Sequence, residues 1–248
     1  MRCIIPTQPT NMTYIFSIEG NIGSGKSTLV SNIKTAYSGK RINGREVICV
    51  QEPVSIWNDI KDKSGTTILE KFYADQEKYA FPFQMMAYIS RLAILKETIE
   101  KNPDAIIITE RCTDTDKNVF AQMMHDSGKM EEINFAIYLK WYECFLKEVP
   151  VIGHVYVKTD PTMCDERIKR RSRTGEDGIP LEYLDACHDY HENWLISKDN
   201  KLVLDGNHDI TSDEYNGFLN QIEQYIQDMT TSRKYNEETQ KMFQNHFC

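Results

Sequence analysis

Between residues 14 and 205, short apolar runs alternate with longer stretches whose apolar residues recur at helical spacing. That alternation is the pattern of βα units and predicts an α/β fold around a parallel sheet. Strands are expected at Tyr14 to Ile18, Val47 to Val50, Ala105 to Thr109, His154 to Lys158 and Leu202 to Leu204. Helical patterns fill the intervals at Lys26 to Tyr37, Thr67 to Tyr73, Phe81 to Lys101, Asn118 to His125, Glu131 to Lys147, Pro161 to Arg171 and Pro180 to Ser197. Pro161 and Pro180 suit the first turn of a helix, where a missing N–H costs nothing. Turn signals at Ser38-Gly39-Lys40, Asn43-Gly44, Ser64-Gly65, Ser127-Gly128, Arg173-Thr174-Gly175 and Asp205-Gly206-Asn207 punctuate these elements, and none is long enough to be an interdomain linker. One domain over residues 1–248 is therefore expected, with its core at about residues 14–210 and a C-terminal helix or tail at 211–248.

Composition narrows the partners. The 248 residues include 40% hydrophobic side chains, enough for a sizeable core, and no apolar run nears the roughly 18 residues that span a bilayer. The net charge of −8 argues against a general polyanion-binding surface, so neither a nucleic acid polymer nor a membrane is an expected partner. Any anion must be gripped locally. Seven cysteines form no CxxC pair and leave one odd, which fits neither a disulfide framework nor a zinc site. The first thirteen residues resemble no secretory signal or transit peptide, and cytoplasm is the expected compartment.

The chemistry starts at Gly20-Asn21-Ile22-Gly23-Ser24-Gly25-Lys26-Ser27, a GxxxxGK[ST] phosphate loop between an expected strand and an expected helix. Its glycines let backbone N–H groups wrap phosphates, Lys26 reaches the terminal phosphates, and Ser27 can ligate Mg²⁺. Glu52 and Glu110 follow two other strands, at the carboxyl ends where open α/β sheets bind ligands. Three such ends in one cleft suit phosphoryl transfer to a hydroxyl, with Glu110 holding the metal and Glu52 free to serve as base. Arg167, Arg170 and Arg171 share a helix face, and Arg173 lies beside the Gly175 turn, as a basic lid over phosphates requires. Gln84 and Arg91 lie seven apart on one helix face with Tyr88 between them, where polar groups could read a planar base while Phe83 or Phe120 stacks on it.

Together these motifs resemble the deoxyribonucleoside kinase family that includes deoxycytidine, deoxyguanosine and mitochondrial thymidine kinases. The resemblance is carried by Ile18 to Ser27, Glu52-Pro53-Val54 with Trp57, Phe83-Gln84 with Ser90-Arg91, Glu110-Arg111, Arg167 to Arg173, and Gly178-Ile179-Pro180-Leu181-Glu182-Tyr183-Leu184. It implies a P-loop kinase fold with a five-stranded parallel sheet flanked by helices, and transfer of the γ-phosphate of ATP, with Mg²⁺, to a deoxynucleoside 5′-hydroxyl. By the same resemblance Gly20 to Thr28, Arg167, Arg171 and Arg173 would bind ATP, with Thr28 next to Ser27 in the first helical turn. Glu52, Arg111 and Lys26 would be catalytic, and Ser27 and Glu110 would hold Mg²⁺. Trp57, Tyr73, Phe83, Gln84, Arg91, Asp116, Phe120 and Glu176 would form the nucleoside site, Tyr73 and Glu176 at the sugar 3′-hydroxyl. An acid at Asp116 paired with Arg91 points to deoxycytidine or a purine deoxynucleoside rather than thymidine. A homodimer through the helices at Phe81 to Lys101 and Glu131 to Lys147 is implied as well.

The sequence departs from the family at Cys112, where serine is usual, and at Gly175-Glu176-Asp177, which replaces a paired-acid run. Competing readings are a thymidine kinase, a nucleoside monophosphate kinase of the thymidylate type, and a structural nucleotide-binding subunit. A base at Glu52 favours a hydroxyl acceptor over a phosphate acceptor, which needs none, and the presence of Lys26, Glu52 and Arg111 argues against a non-catalytic subunit.

Overall fold

A computed structural model describes residues 13–145, 150–171, 176, 178–209 and 212–246, the side chains of 213, 214 and 233–246 excepted. In chain order the elements are β1 (Tyr14–Glu19), α1 (Lys26–Ala36), β2 (Arg41–Ile42), β3 (Arg45–Val50), α2 (Val54–Asp59), α3 (Ile68–Ala74), α4 (Gln76–Lys101) and β4 (Ile106–Glu110). There follow α5 (Thr113–Thr115), a π-helical turn (Asp116–Ala121), α6 (Gln122–Asp126), α7 (Glu132–Phe145), β5 (Val151–Lys158), α8 (Pro161–Arg171), α9 (Leu181–Ile196), β6 (Lys201–Asp205) and α10 (Asp213–His246).

The sheet has six strands in the order β2-β3-β4-β1-β5-β6, rather than the five expected. Five run parallel; the sixth, β2, pairs antiparallel with β3 through the Asn43-Gly44 turn. Both turn residues have positive φ, 49° and 79°, the conformation of a two-residue hairpin that an Asn-Gly pair favours. Read as a loop, that pair concealed a two-residue edge strand.

Alternation along β1 sorts its side chains between two cores. Tyr14, Phe16 and Ile18 join Leu29, Val30 and Ile33 of α1 and Phe218, Ile222 and Ile226 of α10. Ile15 faces the opposite layer with Tyr88 and Leu92 of α4 and Tyr138 of α7. Central β1 lies between β4 and β5, and the chain reaches β3 before returning to fill the β4 position. Crossovers leave on both sides of β1, so a crevice opens at the carboxyl ends of the strands. No helix among the described residues is long and apolar enough to cross a membrane.

Candidate active site

The first wall of the crevice is the phosphate loop between β1 and α1. Gly20, Gly23 and Gly25 have φ of 145°, 79° and 97°, a region that L side chains rarely adopt. A Cβ at Gly23 would lie 2.6 Å from the Cys164 carbonyl oxygen, so the loop backbone is pressed against α8 and admits no side chain there. Lys26 is buried, and its Nζ donates to the Asn21 carbonyl at 2.5 Å. Burial, reinforced by the Arg111 charge, brings its pKa down to about 7.

The carboxylates form the second wall. Glu110 is the last residue of β4 rather than the first beyond it, and the Ser27 hydroxyl donates to its Oε1 at 2.6 Å. These are neighbouring oxygen donors, the set a hard cation such as Mg²⁺ takes. Glu52, two residues beyond β3, meets Arg91 Nη2 at 3.0 Å and Arg111 Nε at 3.4 Å. Burial opposes its charge, but Arg111, Arg91 and Lys26 outweigh that penalty and hold the carboxyl below its ordinary range.

Arg91 organises this wall from the middle of α4. Its Nε donates to Asp116 Oδ2 at 3.0 Å, Nη1 to the Glu110 carbonyl at 2.6 Å, and Nη2 to both Glu52 and Asp116 Oδ1. Burial pushes the Asp116 pKa upward against the opposing pull of Arg91. Arg111 follows β4 with φ 62°, and this left-handed turn aims its side chain at the phosphate loop, where Nη1 donates to the Gly20 carbonyl at 2.8 Å. Its guanidinium lies 4.8 Å from the Phe120 ring centroid.

One cavity of about 360 Å³ joins these parts, within the range of small-molecule sites. Its lining includes Ile22 to Thr28, Glu52, Trp57, Tyr73, Phe83, Gln84, Arg91, Glu110, Arg111, Asp116, Phe120, Arg167, Arg171 and Glu176, all expected from the sequence. Arg170 joins them. Gly20 and Asn21 do not reach this lining: Asn21 Nδ2 instead donates to the Leu184 carbonyl at 2.8 Å and ties the loop to α9. Tyr88 is also absent from it, its hydroxyl turned to the Trp141 carbonyl. Arg173 lies outside the described residues. Arg167 bonds the Gly206 and His208 carbonyls at 2.8 and 3.0 Å, and Arg171 pairs with Glu176.

Phe72, Tyr183 and His191 escaped the sequence reading. Phe72 lines the cavity and stacks on Phe83 with centroids 4.6 Å apart, and Tyr183 packs edge-on against Tyr73. Tyr183 was within reach, since it lies in the Gly178 to Leu184 motif. His191 is fully buried, with Nδ1 2.6 Å from the Cys187 carbonyl and Nε2 3.5 Å from Arg111 Nη1. A single histidine on a helical pattern gives no signal of such a contact.

A phosphate loop, a base-sized cavity and a carboxylate between two arginines describe an enzyme that phosphorylates a small hydroxylic substrate. Comparison with known proteins decides the family: the deoxynucleoside kinase model matches residues 16–227. The chain belongs to the deoxynucleoside kinase family. Among its relatives are a probable deoxycytidine kinase of fowlpox virus (strain NVSL), 36% identical over 182 residues, 72% of this chain and 70% of that protein. Deoxycytidine kinase 2 of Gallus gallus is 35% identical over 229 residues, 80% of this chain and 84% of that protein. The deoxycytidine kinase of Homo sapiens is 30% identical over 241 residues, covering 85% and 90%. This deoxynucleoside kinase is therefore an enzyme, and its six-stranded sheet is the family's P-loop fold with a short antiparallel edge added.

Proposed function

We propose that this kinase transfers the γ-phosphate of ATP to the 5′-hydroxyl of deoxycytidine or a purine deoxynucleoside in nucleotide salvage. Deoxycytidine stands first because three relatives carry that name. The observation that carries the reading is Glu52, an ionised carboxylate in the same cavity as the phosphate loop. Phosphoryl transfer passes through a loose transition state in which the hydroxyl proton leaves late, so the base needs to be ionised and placed more than strongly basic. Glu52 accepts that proton as the 5′-oxygen bonds to the γ-phosphorus and the bond to the β-phosphate oxygen breaks. Arg111 orients the hydroxyl, and Lys26 meets the charge on the departing diphosphate.

Ser27 and Glu110 would hold Mg²⁺, which when bound neutralises the β- and γ-phosphate oxygens. Ile22 to Thr28 cradle the donor, and Arg167, Arg171 and Arg173 clamp its phosphates, Arg167 exchanging carbonyl partners and Arg171 its carboxylate partner for phosphate oxygens. The Gln84 amide can accept from a cytosine amino group and donate to the ring nitrogen beside it, between Phe83 and Phe120, with Trp57 closing one side. Tyr73 and Glu176 take the sugar 3′-hydroxyl. The Arg91–Asp116 pair fixes the guanidinium beside the base and narrows the room for a thymine methyl. We read the chain as one kinase domain, expected in the cytoplasm and acting as a homodimer. Ile133, Ile137 and Trp141, four apart on α7, form an exposed apolar stripe that supports the dimer.

An assay of four deoxynucleosides and their monophosphates with ATP and Mg²⁺ tests the reading. Deoxycytidine or a purine deoxynucleoside should yield the 5′-monophosphate; turnover of monophosphates alone would reassign the enzyme. In the same panel Asp116→Ala should raise the relative kcat/KM for thymidine, and an unchanged ranking would remove the pair from specificity.

A further inference from the structure

Behind the active-site arginine, on the sheet face away from α1, β1 carries Ser17 and Glu19. His154 of β5 is the register partner of Ser17, and Cys112 lies two residues past the end of β4. Glu19, Cys112 and His154 are all fully buried, and one potential ligand atom from each lies within 4.8 Å of the other two. Thr115 Oγ1 donates to Glu19 Oε2 at 2.6 Å, whereas Glu19 Oε1 has no hydrogen-bond partner among the described residues. A buried carboxylate oxygen left without a partner is costly, so this one calls for a ligand. The Ser17 hydroxyl lies 2.8 Å from His154 Nδ1, the outer support that orients a metal-bound imidazole.

We propose that Glu19, Cys112 and His154 form a buried site for one divalent transition ion of the Zn²⁺ class, separate from the Mg²⁺ position at Ser27 and Glu110. A thiolate, an imidazole and a carboxylate together select zinc or cobalt over magnesium or calcium. Ligands about 2.0 to 2.3 Å from a tetrahedral ion lie roughly 3.3 to 3.8 Å apart, so a contraction of about 1 Å closes the site. On binding, the Cys112 thiol releases its proton and the thiolate and carboxylate charges balance the dication, leaving the buried site neutral. Cys112 directly follows Arg111, whose backbone is left-handed, so the ion would pin that turn to β1 and β5.

The test uses the full chain, stripped with a chelator and dialysed against Zn²⁺ in excess Mg²⁺. One tightly held zinc per chain is expected by elemental analysis, with a rise in the unfolding temperature, and Co²⁺ in its place should give a thiolate charge-transfer band. Cys112→Ser and His154→Gln should each abolish the band and the bound ion, while Cys144→Ser, at an exposed cysteine, should keep both. Circular dichroism confirms that each variant folds. Wild-type protein that retains no zinc, or cobalt binding that survives both Cys112→Ser and His154→Gln, would overturn the site and leave the three as core residues.

Discussion

Arg111 leaves β4 with φ 62°, a conformation that costs a non-glycine residue about 1 kcal/mol or more. The Arg111 N–H donates to the Ile18 carbonyl and the Thr109 hydroxyl to the Arg111 carbonyl, so the turn is held from both sides. Nothing in the Glu110-Arg111 dipeptide announces this reversal; what was legible was the residue type at a strand end. Gly23 and Gly25 were legible in full, because their motif and their backbone conformation have one cause; Gly20 shares the conformation but not the cavity lining expected of it. His191 was not, and its contact with Arg111 yields a prediction. Burial, then the Arg111 and Lys26 charges, hold its pKa well below the ordinary value. The folded protein keeps it neutral while the unfolded chain protonates it below about pH 6.5, so stability is lost as pH falls through that window. Denaturant unfolding from pH 6.5 to 5.5 should cost the wild type about 1 kcal/mol more than His191→Phe. Parallel pH profiles would show that His191 protonates freely in the fold.

At the scale of elements, the five parallel strands and most helices were visible in the apolar pattern, because buried strands and amphipathic helices have different periods. α2 has no counterpart in the sequence pattern, being six residues and too short for a periodicity; α10 resolves the expected helix or tail at 211–248 as a helix, with Phe218, Ile222 and Ile226 recurring at four-residue spacing. The segment read as a helix from Asn118 to His125 in fact begins at Thr113 and passes through the π-helical turn that carries Asp116 and Phe120 to the cavity. A widened turn of this kind leaves no residue signature. α10 is fastened to β5 by Tyr225, whose hydroxyl accepts from the His154 N–H at 3.1 Å and donates to the Asn200 carbonyl at 2.7 Å. Beneath it lies Gly153, where a Cβ would approach that hydroxyl to 2.5 Å and the Phe16 ring to 2.8 Å. Gly153→Ala should therefore destabilise the protein by about 1–3 kcal/mol through overpacking. Calorimetry should show a Tm lower by roughly 2–10 °C, and an unchanged Tm would mean that α10 packs more loosely than described.

For the molecule as a whole, a net charge of −8 coexists with a cavity lined by Lys26, Arg91, Arg111, Arg167, Arg170 and Arg171. Those cations offset the carboxylates of Glu52, Glu110, Asp116, Glu176 and Asp209 in the same lining, so the cavity can take a polyphosphate that the acidic surface elsewhere does not attract. The outer face of α7 breaks the polar pattern of the surface, with Ile133 64% and Trp141 49% exposed. If it is the dimer interface, the double variant Ile137→Glu with Trp141→Glu should sediment as a monomer where the wild type sediments as a dimer. An unshifted sedimentation coefficient would assign that face elsewhere. Transfer as proposed depends on Glu52 taking the proton of a nucleoside hydroxyl, and Glu52→Gln removes that base while keeping the shape of the side chain. Titration of the variant with deoxycytidine should give a Kd close to that of the wild type, while steady-state turnover with ATP should fall by at least about 10²-fold, the scale of a lost general base. Turnover near the wild-type rate, with binding intact, would mean that Glu52 is not the base.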